Sequence, residues 1–279
     1  MSDKSFVGSP RWSPGSTGAP RAELIEFLER AGRASPARDA AERWFDVVPL
    51  RQGQRVIDAG CGIGLMLPRF ARAVGSSGHV VGLDHAEDLL ERARERVHAE
   101  ALDAVVELRG GDINRMDFPA GTFDIATTER VLMHQEDPTA TLRELRRIVK
   151  PGGFVVAVEP DLRCCRLDGN VDLEAIQLML ERLVKGVRNP SVGSELYRRM
   201  HEAGLVERKL VPVSAIITRA EDLHFLRLRE TSRKLVEDGL LSQERMLGAL
   251  AGLEESSREG TLACFVGYFI AVGRVPEAL

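Results

Sequence analysis

The chain has 279 residues, of which 44% are hydrophobic and 29% charged; this places it among ordinary soluble globular proteins, with enough chain for one large domain or one domain and a cap. A formal net charge of −4 speaks against a nucleic-acid partner held by bulk electrostatics. Its four cysteines (Cys61, Cys164, Cys165 and Cys264) include no C-x-x-C pair and an adjacent pair poorly placed for bridging, so no zinc site or disulfide framework is expected and a reduced, cytoplasmic compartment fits.

Residues 1–20 are rich in Gly, Ser and Pro and lack an apolar stretch, which predicts a flexible arm rather than a signal peptide. Two amphipathic helices follow and are expected to form a lid over 21–50. One covers about 21–31, with Leu24, Ile25, Phe27 and Leu28 on one side; the next starts at Ser35-Pro36 and carries Ala40, Ala41, Trp44, Phe45 and Val48. From Arg55 short apolar runs alternate with helical stretches, the pattern of a parallel sheet with crossover helices. Strands are predicted at Arg55–Ala59, Val80–Asp84, Val105–Arg109, Phe123–Thr128 and Phe154–Glu159, with helices near 65–74, 86–101 and 138–149 between them. Arg143, Arg146, Arg147 and Lys150 fall near the C-terminal end of the last of these helices, where cations complement its dipole. Beyond Glu159 the alternation stops. A loop and an amphipathic helix occupy about 161–190, and a helix 194–203. A strand near 206–217 and another near 261–274 are expected to add an antiparallel edge, with helices near 221–237 and 242–257 between them. The longest apolar stretch, Thr261 to Gly273, is too short to span a bilayer. The expected architecture is α/β: a Rossmann-like, doubly wound, mainly parallel seven-stranded sheet with helical lid additions. Residues 51–160 form its ligand-binding core, and 161–279 complete the sheet and cap the site.

Three segments near the ends of adjacent strands carry chemistry. Asp58-Ala59-Gly60-Cys61-Gly62-Ile63-Gly64 links the first strand to the first core helix, and its glycines let backbone approach a ligand closely. The spacing is G-x-G-x-G, whereas a dinucleotide fingerprint is G-x-G-x-x-G and a Walker loop ends in Gly-Lys-Ser/Thr. Asp84, ending the second strand, can accept both hydroxyls of a ribose. Asp112, after the third, can accept from an adenine amino group while Ile113 covers the ring face. Each also has a plain structural alternative: Asp58 as a turn cap, Asp84 as a helix N-cap, Asp112 in a Gly-Asp turn. Their conjunction at successive strand ends favours a ligand site.

The runs VIDAGCGIG, VVGLDHAEDLLERAR, GDINRMDFPAGTFDIATTERVLMHQEDP and LRELRRIVKPGGFVVAVEP resemble the type 11 group of class I S-adenosylmethionine-dependent methyltransferases, strongly over about residues 40–160. That group includes quinone-biosynthesis and natural-product enzymes. The resemblance implies that Gly60, Gly62 and Gly64, with Asp58, hold the methionine portion of S-adenosylmethionine, Asp84 the ribose, and Asp112 with Ile113 the adenine. His85 stands where an apolar residue is common, and Ala86 where serine is frequent.

Methyl transfer is an in-line displacement whose leaving group needs no acid, so the protein supplies alignment, exclusion of water and, for some acceptors, a base. Glu129 and His134, after the fourth strand, are the candidates for that acceptor-side role. The alternatives are a Glu129 ion pair with Arg130 or a lid arginine, and a His134 bonded to backbone at a helix start. Thr127 or Thr128 serves strand packing or the cofactor carboxylate, and Thr128 and His85 complete the candidate cofactor set. Trp44 and Phe45 are expected to pack over cofactor or acceptor, and Tyr197 is a further candidate in the lid. The long lid favours a small, fairly apolar acceptor of secondary-metabolic or quinone-like type, no nucleic acid and no membrane insertion. The N-terminal arm could reach a second copy of the chain. Alternatives are a relative that binds the cofactor but catalyses cyclisation, a nicotinamide-dependent oxidoreductase, disfavoured by the glycine spacing, and a non-enzymatic module.

Overall fold

The computed structural model describes residues 21–33, 35–48 and 50–277. The N-terminal arm and the oligomer contact expected of it lie outside these residues. In chain order the elements are α1 (Arg21–Arg33), α2 (Ser35–Val47), β1 (Arg55–Ala59), α3 (Leu67–Val74), β2 (His79–Asp84), α4 (Glu87–Ala99), β3 (Val106–Gly110), β4 (Phe123–Glu129), a 3-10 turn (Leu132–His134), α5 (Pro138–Ile148), β5 (Val149–Asp168), α6 (Leu173–Gly186), α7 (Val192–Glu202), β6 (Val206–Ile217), a second 3-10 segment (Ala220–Leu226), α8 (Leu228–Glu237), α9 (Gln243–Glu259) and β7 (Ala263–Arg274).

The strands form one seven-stranded sheet in the order β3-β2-β1-β4-β5-β7-β6. The first five run parallel, and β7 lies antiparallel between β5 and β6. Strand order reverses between β1 and β4, so the crevice for a ligand opens beyond their carboxyl ends. Each central strand is apolar on both sides, as a sheet covered on both faces requires. Val56, Val80, Ile125, Val156 and Val158 face one core with Trp44 and Phe70. Ile57, Val81, Ala126, Val155 and Ala157 face the other, beneath α5 and α7. Local signals set the helix ends: Asp137 caps α5 by accepting from the N–H groups of Thr139 and Ala140, with Pro138 at the first position. Ser242 caps α9, which ends on the left-handed Gly260.

Three segments depart from expectation. The first is α2, which lies flat against the sheet beside β6 and β7 rather than across the strand ends. Trp44 is fully buried, its ring 5.0 Å from Phe70 and its Nε1 donating to Thr127 Oγ1 at 3.2 Å. Indole burial with its N–H satisfied outweighs any role over a ligand. The second is β5, which continues through a register break between Asp161 and Arg166 and ends at Asp168, because β7 supplies a partner for a stretch whose charged residues read as loop. The third is the helix expected over 221–237, which breaks at Arg227, φ 51°. Leu226 and Leu228 are both buried, and one straight helix would place them about 200° apart, so the left-handed residue resets the phase.

Candidate functional site

A cavity of about 1910 Å³ opens over the carboxyl ends of β1, β2, β3 and β4. Its floor holds Asp58, Gly60, Gly62, Asp84, His85, Asp112, Ile113, Glu129 and His134, so nearly every residue singled out in the sequence converges on one space. The wall opposite comes from α1 (Phe27, Leu28, Ala31), α6 (Leu178, Arg182, Lys185) and α8 (Glu230, Lys234). Single-ligand pockets run to roughly 300–1,000 Å³, so this volume has room for a nucleoside cofactor and an acceptor together.

The glycine turn is shaped by two kinds of demand. Gly60, φ +82°, lies against Val131, and a Cβ there would overlap that side chain. Gly62, φ +53°, has no heavy atom within 4 Å of where a Cβ would stand, so it needs glycine for its backbone angle. The turn is fixed from β2: the Gly62 N–H donates to Asp84 Oδ2 at 2.8 Å, and the Ala86 N–H donates to Oδ1 at 2.9 Å. One bond to each oxygen orients the carboxylate and leaves each oxygen a further lone pair for an incoming hydroxyl. His85 beside it is 71% exposed, with Nδ1 3.4 Å from Asp84 Oδ1.

Asp58 is buried, and desolvation, reinforced by Glu129 and Asp84, raises its pKa from an ordinary 3.8 to about 8 against the opposing pull of Arg130. A buried carboxyl facing a cavity and held neutral by its neighbours becomes favourable to ionise when a cation arrives. Asp112 both lines the cavity and forms the turn weighed as its alternative: its Oδ1 accepts from the Asn114 N–H at 2.8 Å and from Asn114 Nδ2 at 3.1 Å. Ile113, 8% exposed, presents an apolar surface next to it.

Glu129 ends β4 and lines the cavity in an ion pair with the Arg130 Nε at 3.2 Å. Arg130 adopts φ +56°, and its N–H donates to Val158 O at 2.9 Å. His134 closes the following 3-10 turn, its N–H donating to Val131 O at 3.0 Å. Gly64 and Thr128 are the exceptions among the cofactor candidates: Gly64, φ +72°, packs against Leu67 and Ala93 outside the cavity lining, and Thr128 turns inward. It is fully buried and does not line the cavity; strand alternation turns it, with Ala126, toward the core under α5, while Thr127 and Glu129 take the other face. Trp44 and Phe45 likewise stay out of the cavity, which their helix reaches through Arg38 and Ala41. Tyr197 is 47% exposed, under the Arg208 guanidinium and away from the site.

Sequence reasoning missed two supports and a wall residue. Glu159, at the level where β5 passes the cavity, is fully buried, and its Oε1 accepts from the N–H groups of Val131 (2.8 Å) and Leu132 (2.7 Å). Burial raises its pKa from an ordinary 4.5 to about 8, although those backbone bonds pull the other way. Asn189 holds the same turn from outside, its Nδ2 donating to Leu132 O at 3.1 Å and Gln135 O at 2.7 Å. Tyr268 on β7 is 6% exposed and lines the cavity. The sequence signal for Glu159 was present, an acid closing an apolar strand in Val158-Glu159-Pro160; nothing local marked Asn189 or Tyr268.

An alternating α/β sheet of this order, with an antiparallel seventh strand and a ligand crevice at the reversal, defines the class of Rossmann-like methyltransferases. The methyltransferase-domain family model matches residues 50–204, more than half of the chain, and the chain belongs to that family, the class I S-adenosylmethionine-dependent methyltransferases. It is 34% identical over 232 residues to an uncharacterized 37.1 kDa protein in transposon TN4556 of Streptomyces fradiae, a match covering 81% of this chain and 66% of that protein. It is 33% identical over 141 residues to the demethylmenaquinone methyltransferase of Desulfitobacterium hafniense, covering 50% of this chain and 54% of that one. The matches thus span between half and two thirds of these relatives' length. Among solved structures, the YcgJ protein of Bacillus subtilis superposes with a TM-score of 0.61 at 15% identity, covering 86% of this chain and 99% of that one, a likeness of fold. No helix among the described residues is long and apolar enough to cross a membrane.

Proposed function

We propose that the protein transfers a methyl group from S-adenosylmethionine to a small, fairly apolar acceptor of secondary-metabolic or quinone-like type, enclosed between the strand ends and the helices α1, α6 and α8. One observation carries this reading: three separate motifs, represented by Asp58 and Gly60 to Ile63, by Asp84 and by Asp112 with Ile113, meet on one cavity with room for two ligands. The residues fit the cofactor. Gly62 opens backbone to the cavity, Asp84 is oriented by two N–H groups, and Asp58 is a buried carboxyl awaiting a cation. Asp58 would take the cofactor's ammonium, Asp84 its ribose hydroxyls, Asp112 the adenine amino group, and Ile113 the ring face. When bound, S-adenosylmethionine supplies a methyl group activated on a sulfonium sulfur.

The chain's own work is then positioning and proton handling. Glu129 and His134 face the acceptor side. Glu129, whose charge acts on Asp58, is the assigned proton acceptor, with Arg130 fixing its carboxylate. Phe27, Leu28 and Leu178 exclude water from above. Relatives named as demethylmenaquinone methyltransferases support the quinol-like acceptor class.

The test is transfer of isotopically labelled methyl from S-adenosylmethionine to a panel of naphthoquinols, catechols and amines, followed in the organic extract. Wild type should label a hydroxyaromatic member, and Glu129→Gln should slow it by ~100-fold or more, the scale of general-base loss. Cofactor affinity in that variant should stay unchanged. A Glu129→Gln rate within a few-fold of wild type removes the base role.

A further inference from the structure

The cavity wall holds a polar pair that the cofactor reading does not use. Strand register brings it together: Glu129 lies opposite Val158 across β4–β5, and Pro160 lies opposite Tyr268 across β5–β7. Side chains alternate along strands, so Thr127 and Glu129, Val156, Val158 and Pro160, and Tyr268 and Ile270 all belong to one face. That is the face carrying Trp44, Val156, Val158 and Tyr268 in its core. Arg130 follows Glu129 in a left-handed backbone conformation that a non-glycine residue adopts at a cost. Its N–H bond to Val158 O holds it there. The effect is to put a guanidinium, rather than another strand residue, into the cavity beside Glu129.

We propose that Arg130 and the Tyr268 hydroxyl together recognise a negatively charged oxygen on the acceptor, so that the substrate class is an aromatic or enolic compound with an ionisable hydroxyl. This rests on the methyltransferase reading and narrows it. Tyr268 is 6% exposed and lines the cavity, and its hydroxyl is not one of the fully buried, unpartnered side-chain atoms among the described residues, so it is open to the cavity. A phenol hydroxyl open to a largely apolar cavity can donate to a ligand oxygen placed there. Burial also pushes its pKa up to about 12 although Arg130 pulls the other way, so at neutral pH it is an O–H donor. Arg130 is kept charged by Glu129 and offers five donors, of which the Glu129 bond uses one among the described residues.

The pair explains how charge is managed in the transfer. The acceptor's O–H bond breaks and its proton passes to Glu129, which neutralises the carboxylate that Arg130 had been facing. Arg130 then exchanges that lost negative charge for the new oxyanion, with Tyr268 donating the second hydrogen bond. Ionisation makes the acceptor oxygen a stronger nucleophile. The electron pair of the nucleophile forms the new bond to the methyl carbon, and the pair of the broken C–S bond stays on sulfur. Total charge in the Arg130–Glu129–acceptor group is conserved until the methyl arrives, which suits a site with little water.

The test uses para-nitrophenol as a chromophoric probe, titrated into the full chain with and without S-adenosylhomocysteine. Bound probe should show about tenfold more phenolate at a pH below its free ionisation than the same probe in buffer, the effect of one good charge-assisted contact. Tyr268→Phe, which keeps the ring and the packing, should weaken phenolate binding by about 5–10-fold while leaving S-adenosylhomocysteine affinity unchanged. Arg130→Lys should lose more of the phenolate enrichment, because a point charge replaces the fork. A bound probe with unshifted ionisation, absence of probe binding, or an equal enrichment in Tyr268→Phe would each overturn the proposal. Equal affinity for para-nitrobenzoate would reassign the pair to carboxylates and overturn it as well. Failure of S-adenosylhomocysteine to bind wild type would instead strike the methyltransferase reading, and the cofactor-free arm separates the two.

Discussion

Asp58 shows how one side chain can serve as both structure and switch. Its carboxyl is neutral at pH 7 because burial raises its pKa to about 8, with Glu129 and Asp84 adding to the effect. An ammonium brought beside it by a cofactor favours the ionised form. Below pH 8 that ionisation releases a proton, so affinity for S-adenosylhomocysteine should rise with pH, by as much as about tenfold per pH unit, and level off above about 8. Calorimetry in buffers of different ionisation heats checks this directly: the apparent enthalpy at pH 6.5 should scale with the buffer, and in Asp58→Asn it should not. Buffer-independent heats in wild type would sink the assignment. At this scale the site was partly legible. The aspartates and glycines stood out because cofactor contacts recruit rare residue patterns at fixed spacings. Tyr268 did not, because a tyrosine in an apolar edge strand has no local mark; it joins the site only through pairing with β5. Of the chain's two tyrosines, the sequence points to Tyr197, which is exposed and lies elsewhere.

Between strand and helix, the turn Val131–Gln135 is the element that decides the acceptor side of the cavity. It is too short to hold itself, and two residues distant in sequence hold it: Glu159 beneath, through two N–H groups, and Asn189 outside, through two carbonyls. Glu159 has a pKa of about 8 when folded and an ordinary 4.5 otherwise, so the folded state binds its proton more tightly. Its stabilising contribution is therefore complete below about pH 4.5 and is lost as pH rises through about 8. Stability of the ligand-free protein should fall over this window, by up to about 1.4 kcal/mol per pH unit for each such carboxyl. Glu159→Gln keeps the accepting oxygen and cannot ionise, so its melting temperature should fall less steeply between pH 5 and 8 than that of wild type. Parallel melting curves for the two would contradict the assignment. Element existence was well marked in the sequence, since β1, β2, α5 and β6 follow strong periodic patterns. Direction was not: amphipathicity told that α2 buries a face, but not that the face meets the sheet instead of the strand ends. The break at Arg227 was hidden because no glycine or proline marks it; the spacing of Leu226 and Leu228 is its only trace.

Taken whole, the molecule divides its labour between a sheet that is covered on both faces and a set of helices that closes one end of it. Neither half makes the cavity alone: α1 supplies Phe27 and Leu28, the strand ends supply the carboxylates, and α6 and α8 supply the opposite charged rim. Helix α1 is tied to the core through Glu29, which accepts from Arg92 Nη2 at 2.9 Å and Arg96 Nη2 at 2.7 Å on α4. The helix that covers the site is thus anchored to the helix following the Asp84 loop, and cofactor contact and closure share a support. The central claim is that this space holds the nucleoside of S-adenosylmethionine, with Asp84 on the ribose. Isothermal titration of S-adenosylhomocysteine into wild type and Asp84→Ala, with NAD as the control ligand, tests it most directly. The account predicts binding of S-adenosylhomocysteine to wild type, a loss of ~1–3 kcal/mol in Asp84→Ala, the scale of a polar group left unpaired, and no binding of NAD; tight binding of NAD, or equal affinity of the two proteins for S-adenosylhomocysteine, would contradict it.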